Sequence, residues 1–213
     1  MKGCVSIPIA VCIVIIFVVW LRYQLSKNNR AAQKQTSAFW EKENRANFVR
    51  KKDISNLDYI KIPLEALPFQ DTTNEEISHV QNQLIKLSKK KILNLSGYSN
   101  TDLKLAYGTA NISILSEYDQ NYNLLIRHLN QWGALLFDEG QLARAQTVLE
   151  LAVKYQSDIG STYTQLANIY AKNNNADKIK ELIDLIGSQN SLSKESTLAS
   201  LHAIYETASH AQE

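Results

Sequence analysis

Residue types that take part in catalysis are present in this 213-residue chain, but their spacing fits none of the familiar sites. The six glycines after residue 96 never lie closer than seven residues apart, so they form no phosphate-binding loop. The histidines His79, His128, His202 and His210 lack the spacing of zinc ligands, and no glutamate accompanies them as in a metalloprotease helix. No serine lies in a nucleophile elbow. We therefore expect a protein that is not an enzyme and binds no metal or cofactor.

The clearest pattern in the chain is a constant step of about 34 residues between positions 126 and 187. Each of its two halves has the apolar spacing of two short helices joined by a turn. The first set is answered, position by position, by the second: Leu129, Trp132, Gly133, Leu136, Ala145, Leu149 and Ala152 by Tyr163, Leu166, Ala167, Tyr170, Ile179, Ile183 and Ile186. Since a helix pair of this size cannot bury its apolar stripe alone, the pairs must stack.

This repeat step, with its alternation of large and small residues, resembles the tetratricopeptide repeat. The resemblance implies an all-α solenoid of helical hairpins, with repeats at about 126–156 and 160–187, that binds proteins. Two departures are present: Ile179 and Ile186 replace the usual alanines, and Ser157 stands where the first repeat commonly has a proline. An ordinary helical bundle with a chance period is the alternative.

In this family the first helix of each pair lines a concave groove, and the resemblance carries that role to specific residues. The groove positions are Arg127, Asn130, Phe137, Thr164, Asn168 and Lys172. Four of them are suited to bind the backbone or a carboxylate of an extended peptide: Arg127, Asn130, Asn168 and Lys172. Phe137 is suited to contact an apolar side chain. Asn130 stands where the chaperone-tail clamp of the family needs a lysine, so that particular activity is not expected. A solvated helix face is the alternative interpretation.

The N-terminal segment predicts a membrane anchor at residues 1–22. Val5–Leu21 is a run without charge, at the short end of what crosses a bilayer, so residues 5–21 are expected to contact lipid. A cleaved signal sequence, or a lipid anchor at Cys12, is the alternative. Lys2 precedes the run and Arg22, Lys27, Arg30 and Lys34 follow it, which predicts a single-pass plasma-membrane protein with a cytoplasmic C-terminal domain.

Charge is unevenly distributed along the chain. Residues 22–52 carry a net charge of +7, whereas residues 53–213 carry −6. Residues 23–52 are therefore expected to form a basic juxtamembrane helix or linker, which either attracts anionic lipid headgroups or only fixes the topology. Since the larger part of the chain is acidic, no nucleic-acid partner is expected.

Residues 53–72 are expected to form an extended segment, because Pro63 and Pro68 exclude a continuous helix. The segment is too apolar for a free linker, so it lies either on the protein's own helices or on a partner. If it covers the concave groove, it competes with partners there.

Residues 73–213 are expected to form the helical domain. Thr73–Glu76 fits a capping box for a first helix that reaches about residue 92. Short helices are expected at Leu103–Tyr107 and Ile112–Tyr118, and a last helix from about residue 192 to 205 serves as a polar cap. The fold class is therefore all-α, with an N-terminal transmembrane helix followed by a domain of tetratricopeptide-like hairpins.

The order of anchor, basic stretch, DYIKIPLEALPF, NLSGYSNTDLKLAYGTANI and the repeat pair also resembles a group of single-span bacterial proteins. That resemblance implies the bacterial plasma membrane and no particular activity. We expect a membrane-anchored protein–protein interaction module, an adaptor or scaffold. Two alternatives stay open: an extracytoplasmic assembly factor or structural subunit of a membrane complex, and an unfamiliar enzyme site within residues 74–118.

Overall fold

The computed structural model describes residues 6–189 and 193–210, which form helices, turns and loops but no strand. Two short 3-10 turns, Leu64–Ala66 and Thr109–Asn111, interrupt the loops. The α-helices are α1 (Ser6–Asn47), α2 (Glu75–Leu87), α3 (Asn100–Tyr107), α4 (Ile112–Asp138), α5 (Leu142–Lys154), α6 (Gly160–Lys172), α7 (Ala176–Ser188) and α8 (Lys194–His210). The all-α class is confirmed.

Helix α1 is long and apolar enough to cross a membrane. Its 42 residues make it about 63 Å long, roughly twice the thickness of a hydrocarbon core. Apolar side chains from Val11 to Leu21 are exposed all round the helix. The helix continues without a break through the basic stretch as far as Asn47.

Contacts between residues divide the chain into two compact units. The first contains α1 with the residues as far as Ile54, and also Gly97–Ser113 with α3. Helix α3 packs on the C-terminal end of α1. Asp102 accepts a hydrogen bond from Lys42 Nζ at 2.6 Å, and Glu43 accepts from Thr101 Oγ1 at 2.6 Å and also pairs with Lys104. Ala46 is fully buried in this contact. Charged and small side chains contribute to this unit together with the buried apolar side chain of Leu103 on α3.

Gly108 ends α3 in a conformation that only glycine adopts at low cost. Its φ is +88°, and a Cβ at this position would lie 2.3 Å from the carbonyl oxygen of Arg50. The backbone can pass close to the end of α1 for this reason. Asn111 then donates to the carbonyl oxygens of Lys52 and Tyr107, which fixes the turn before α4.

The second unit contains α2, α4 from Ile114 onward and α5 to α8, around one apolar core. Helix α6 packs against α5, α7 and α8, and α7 also packs against α8. Gly133 allows a close approach between α4 and α5, because a Cβ there would lie 2.4 Å from Leu149 Cδ2. Trp132 and Tyr163 are the largest fully buried side chains.

Helix starts in this unit repeat with the step found in the sequence. The distance along the chain from the start of α5 at Leu142 to the start of α7 at Ala176 equals that from the start of α6 at Gly160 to the start of α8 at Lys194. In the repeat pattern along the chain, the last helix, α8, therefore corresponds to α6. Thr197 of α8 is buried beside Gly160. A Cβ added at Gly160 would lie 2.5 Å from Thr197 Oγ1.

Residues 55–72 lie on helices of their own unit. The ring of Tyr59 packs edge-on to Tyr118 with 5.6 Å between centroids, and Phe69 packs on Trp132 at 5.0 Å. Tyr155 Oη donates to the carbonyl oxygen of Lys61 at 2.9 Å. Two further side chains of the segment, Ile62 and Leu67, are buried.

Several expected boundaries of the helical domain are wrong, and one of them is the end of α2, which lies at Leu87 instead of about residue 92. The expected short helix Ile112–Tyr118 is the start of the much longer α4, because its apolar face continues through Tyr122 and Leu125 and no glycine or proline interrupts it there. The cap of α2 is Asn74 instead of Thr73: its Oδ1 accepts from the backbone nitrogens of Glu76 and Ile77.

Candidate binding surface on α4 and α6

The six predicted groove residues fall on two helices of the second unit. Arg127, Asn130 and Phe137 belong to α4, and Thr164, Asn168 and Lys172 belong to α6. At about 100° per residue, each set of three stays within about 80° on its helix. We call these six residues the α4/α6 face. Its members on α4 lie roughly 140–160° from the buried Trp132 of the same helix, although Phe137 still packs partly against the core.

Asn130 connects the two helices at one end of the α4/α6 face. Its Oδ1 accepts hydrogen bonds from Ser161 Oγ at 3.0 Å and from Thr162 Oγ1 at 2.9 Å. Neither hydroxyl was expected from the sequence, although each lies one turn or less before Thr164. The side chain of Asn130 is therefore held in place at its oxygen, which positions the amide nitrogen.

Beneath this contact, Ser157 occupies the place of the usual proline. It is fully buried, and its Oγ accepts from the backbone nitrogen of Ile159 at 3.2 Å, which stabilises the turn into α6. Its carbonyl oxygen accepts from Tyr163 Oη at 2.6 Å. Burial is the main cause that raises the pKa of the Tyr163 hydroxyl. The tyrosine accordingly stays a neutral donor in this site.

Phe137 and Lys172 connect the helices at the other end of the face. Lys172 Nζ lies 5.1 Å from the centroid of the Phe137 ring, a cation–π contact worth about 0.5–1 kcal/mol at an exposed site. The ring is half-buried against the core, whereas the lysine is exposed. A partner can thus meet an apolar ring edge and a positive charge at the same place.

Asn168 is exposed between these two ends, and Arg127 is exposed one turn before Asn130 on α4. Within residues 6–189 and 193–210, neither side chain makes a hydrogen bond or an ion pair. Thr164 uses its hydroxyl within α6, donating to the carbonyl oxygen of Ser161 at 3.3 Å. Two of the six residues therefore have their full polar capacity available, and Asn130 and Lys172 have part of it.

The same face has a counterpart on α8 that was not expected from the sequence. His202 and Glu206 stand one repeat step after Asn168 and Lys172, and both are exposed. Adding the repeat step once more would have found them.

The segment 55–72 does not contact the six residues in the interactions described above. It meets α4 at Tyr118 and Trp132, and it meets α5 and its ends at Gln141, Arg144 and Tyr155. Those positions on α4 belong to the core-facing side of the helix. The α4/α6 face is therefore not blocked by these contacts.

The basic residues that were predicted to lie near the membrane belong to α1. Arg22, Lys27 and Lys34 are exposed. Arg30 belongs to the same helix, but its side chain is outside the described residues, as are Cys4 and Lys2. Three exposed cations on one uninterrupted helix are compatible with either role considered for this stretch, topology or lipid contact.

His128 lies next to Arg127 in sequence but turns toward the interior. Burial lowers its pKa, and the charge of His79 lowers it further. Its Nδ1 is buried and has no hydrogen-bond partner among the described residues.

Among residues 6–189 and 193–210, no three Cys, His, Asp or Glu side chains lie close enough together to hold a metal ion.

No protein-family model matches this chain, and comparisons with curated proteins and with solved structures give no match. Function must therefore be inferred from the contacts within the chain itself.

Proposed function

We propose that the protein is a membrane-anchored interaction module without catalytic activity, whose α4/α6 face binds an extended segment of a protein partner. The observation that carries this proposal is that Arg127 and Asn168 are exposed and unpartnered among the described residues at different points along the α4/α6 face, with Asn168 one turn from the Phe137–Lys172 contact. Side chains that form no bond within the described chain and share one face are suited to an external ligand.

A stack of tetratricopeptide-like hairpins is the arrangement we propose for α4 to α8. The repeat step between helix starts supports it, and so does α6, which packs on its neighbours α5 and α7 as well as on α8. In such a stack α4, α6 and α8 line one side, which would bring His202 and Glu206 beside the α4/α6 face.

The proposed ligand is an extended peptide that carries a carboxylate near an apolar side chain. Arg127 and Lys172 supply positive charge, and the amides of Asn130 and Asn168 suit a peptide backbone. Phe137 supplies the apolar contact. Exposed Glu206 on α8 would favour a neutral or basic residue at the far end of the peptide.

The proposed mechanism is co-localisation at the plasma membrane. With α1 as a single-pass anchor, the module raises the effective concentration of its partner near the bilayer, and no bond is made or broken. The excess of basic residues after the apolar run, at Arg22, Lys27, Arg30 and Lys34, favours a cytoplasmic C-terminal domain.

Photo-crosslinking tests the binding face. A photoreactive residue at Asn168 is expected to capture a protein partner in native membranes, whereas the same residue at exposed Lys180 on α7 is the matched control. The double variant Arg127→Glu and Lys172→Glu should abolish capture at Asn168, because it reverses both charges. Identical products at Asn168 and Lys180, or capture of residues 55–72 alone, would contradict the proposal.

An extracytoplasmic assembly factor or structural subunit is the second candidate. It is favoured by Lys2, which reduces the charge difference across the apolar run. The chain with Cys4→Ser and Cys12→Ser offers a background for a single Lys180→Cys substitution. We expect a membrane-impermeant maleimide to label this cysteine only after cells are permeabilised. Labelling in intact cells would select the extracytoplasmic alternative.

A further inference from the structure

Between the apolar run and α3, the described residues of α1 are exposed on all sides of the helix. Leu25 and Phe39 are both 53% exposed, although they are large apolar residues. Within its unit, α1 is packed by α3 only near its C-terminal end, around Lys42, Glu43 and Ala46. Large apolar side chains left exposed on one side of a helix are suited to contact with another surface.

Charged residues avoid the side of α1 that carries Leu25 and Phe39. At about 100° per residue, Leu25, Asn28, Gln35 and Phe39 lie within about 40° of the direction of Phe39. Lys27, Lys34 and Glu41 point about 120–160° away from it. We call the uncharged side, centred on Leu25 and Phe39, the α1 stripe.

The α1 stripe continues a surface that already packs against a helix. Ala46, seven residues after Phe39, is fully buried where α3 lies on α1. In the other direction the same seven-residue step reaches Ala32 and then Leu25, Val18 and Val11. A seven-residue apolar step is the spacing that keeps two helices in contact along a left-handed pair.

We propose that the α1 stripe pairs with the α1 stripe of a second copy of this chain, in a parallel contact from Val11 to Phe39. This inference rests on the proposed membrane anchoring, since two copies of one single-pass chain enter a bilayer with the same orientation. Identical residues then face each other at the same height. The contact is about 42 Å long and ends where α3 covers the helix.

The charge pattern of α1 suits a second copy of the same helix. In a parallel, in-register pair, any lysine on the contact face would meet the same lysine of the other chain, and such like-charge contacts are destabilising. Between residues 23 and 41 every charged residue is off the stripe: Lys27, Arg30, Lys34 and Glu41. Two anchored copies would also present two α4/α6 faces, which raises the avidity for a multivalent partner.

Cysteine crosslinking in native membranes tests the pairing. In the full-length chain with Cys4→Ser and Cys12→Ser, single cysteines replace Asn28 or Gln35 on the stripe, and the adjacent Lys27 or Lys34 off it. All four positions are exposed, so none of the substitutions disturbs a packed core. Mild oxidation should give about tenfold more disulfide-linked homodimer at 28 and 35 than at 27 and 34, because a disulfide needs Cβ atoms about 4 Å apart.

A charge-insertion variant provides the second measurement. Leu25→Lys with Phe39→Lys should shift the full-length protein in lipid nanodiscs from two chains per particle to one, whereas Lys27→Leu with Lys34→Leu should leave two. Equal crosslinking on and off the stripe, no crosslinking, or crosslinks to another protein would each overturn the proposal. Alkaline carbonate extraction separates the two possible failures: release of the chain refutes the anchoring, and retention without dimers refutes only the pairing.

Discussion

The two units of this protein differ in how much buried apolar surface holds them together, since the first buries little more than Leu103 and Ala46. In the first, α1 and α3 meet through hydrogen-bonded charges, and the side chains of Lys42 and Asp102 are still 43% and 40% exposed. In the second, a continuous apolar core buries Trp132 and Tyr163 completely. Water screens exposed ion pairs, whereas each fully buried large apolar side chain contributes about 1.5–3 kcal/mol. The second unit should therefore tolerate changes of salt and pH that loosen the first.

The largest effect is expected from the centre of the second unit. Trp132→Ala should lower its free energy of unfolding by about 3–5 kcal/mol, because it leaves a cavity beside Phe69 in the core. Urea denaturation followed by circular dichroism at 222 nm measures the loss. Phe48→Ala is the matched control in the first unit, since Phe48 is 87% exposed and its removal should change little. Equal losses for the two variants would refute the contrast between the units.

A smaller effect is expected from adding one methyl group between α4 and α5. Gly133→Ala should destabilise the second unit by about 1–3 kcal/mol, because Leu149 occupies the position of the new Cβ. Gly187→Ala on α7 has no neighbour within 4 Å and should be neutral or stabilising, as alanine is the better helix former. Thermal melting of the two variants decides. A neutral Gly133→Ala would show that α4 and α5 can separate at no cost.

The sequence alone predicted the apolar core of the second unit better than the polar contacts between α1 and α3 in the first. The repeat step depends on residues such as Trp132 and Gly133, whose burial follows from helical periodicity. The contact of α3 with α1 joins Lys42 to Asp102, far apart in the chain, and charged residues carry no periodic signal that would reveal such a pair. The same limit explains why Asn130 was assigned to the groove while its partners Ser161 and Thr162 were missed.

The stability of the second unit is expected to depend on pH through His128, and this effect should be smaller than that of Gly133→Ala. The pKa of His128 is lowered in the fold by burial and by His79, so the unfolded chain binds the proton more tightly. The stability of the second unit is therefore full above pH 6.5 and falls as the pH drops through the lower folded value. The urea midpoint at pH 7.5 and pH 5.5 should differ less in His128→Gln than in the original chain, with His79→Gln between them. An unchanged pH dependence in His128→Gln would exclude this histidine as the cause.

The smallest effect on stability, but the most direct probe of the first unit, comes from Asp102. The hydrogen bond from Lys42 is the main cause, with those from Ser99, that lowers the pKa of this carboxyl to about 2. A carboxylate with a depressed pKa stabilises the fold above its unfolded value of 3.8, and that contribution is lost as the pH falls through about 2. Carbon-13 NMR of the carboxyl in Lys42→Met should show titration closer to 3.8, whereas Lys104→Met should leave Asp102 unchanged, because Lys104 pairs with Glu43. If Lys42→Met leaves the titration at about 2, the Ser99 cap alone holds the charge, and α1 is bound to α3 by Glu43 and Ala46 instead.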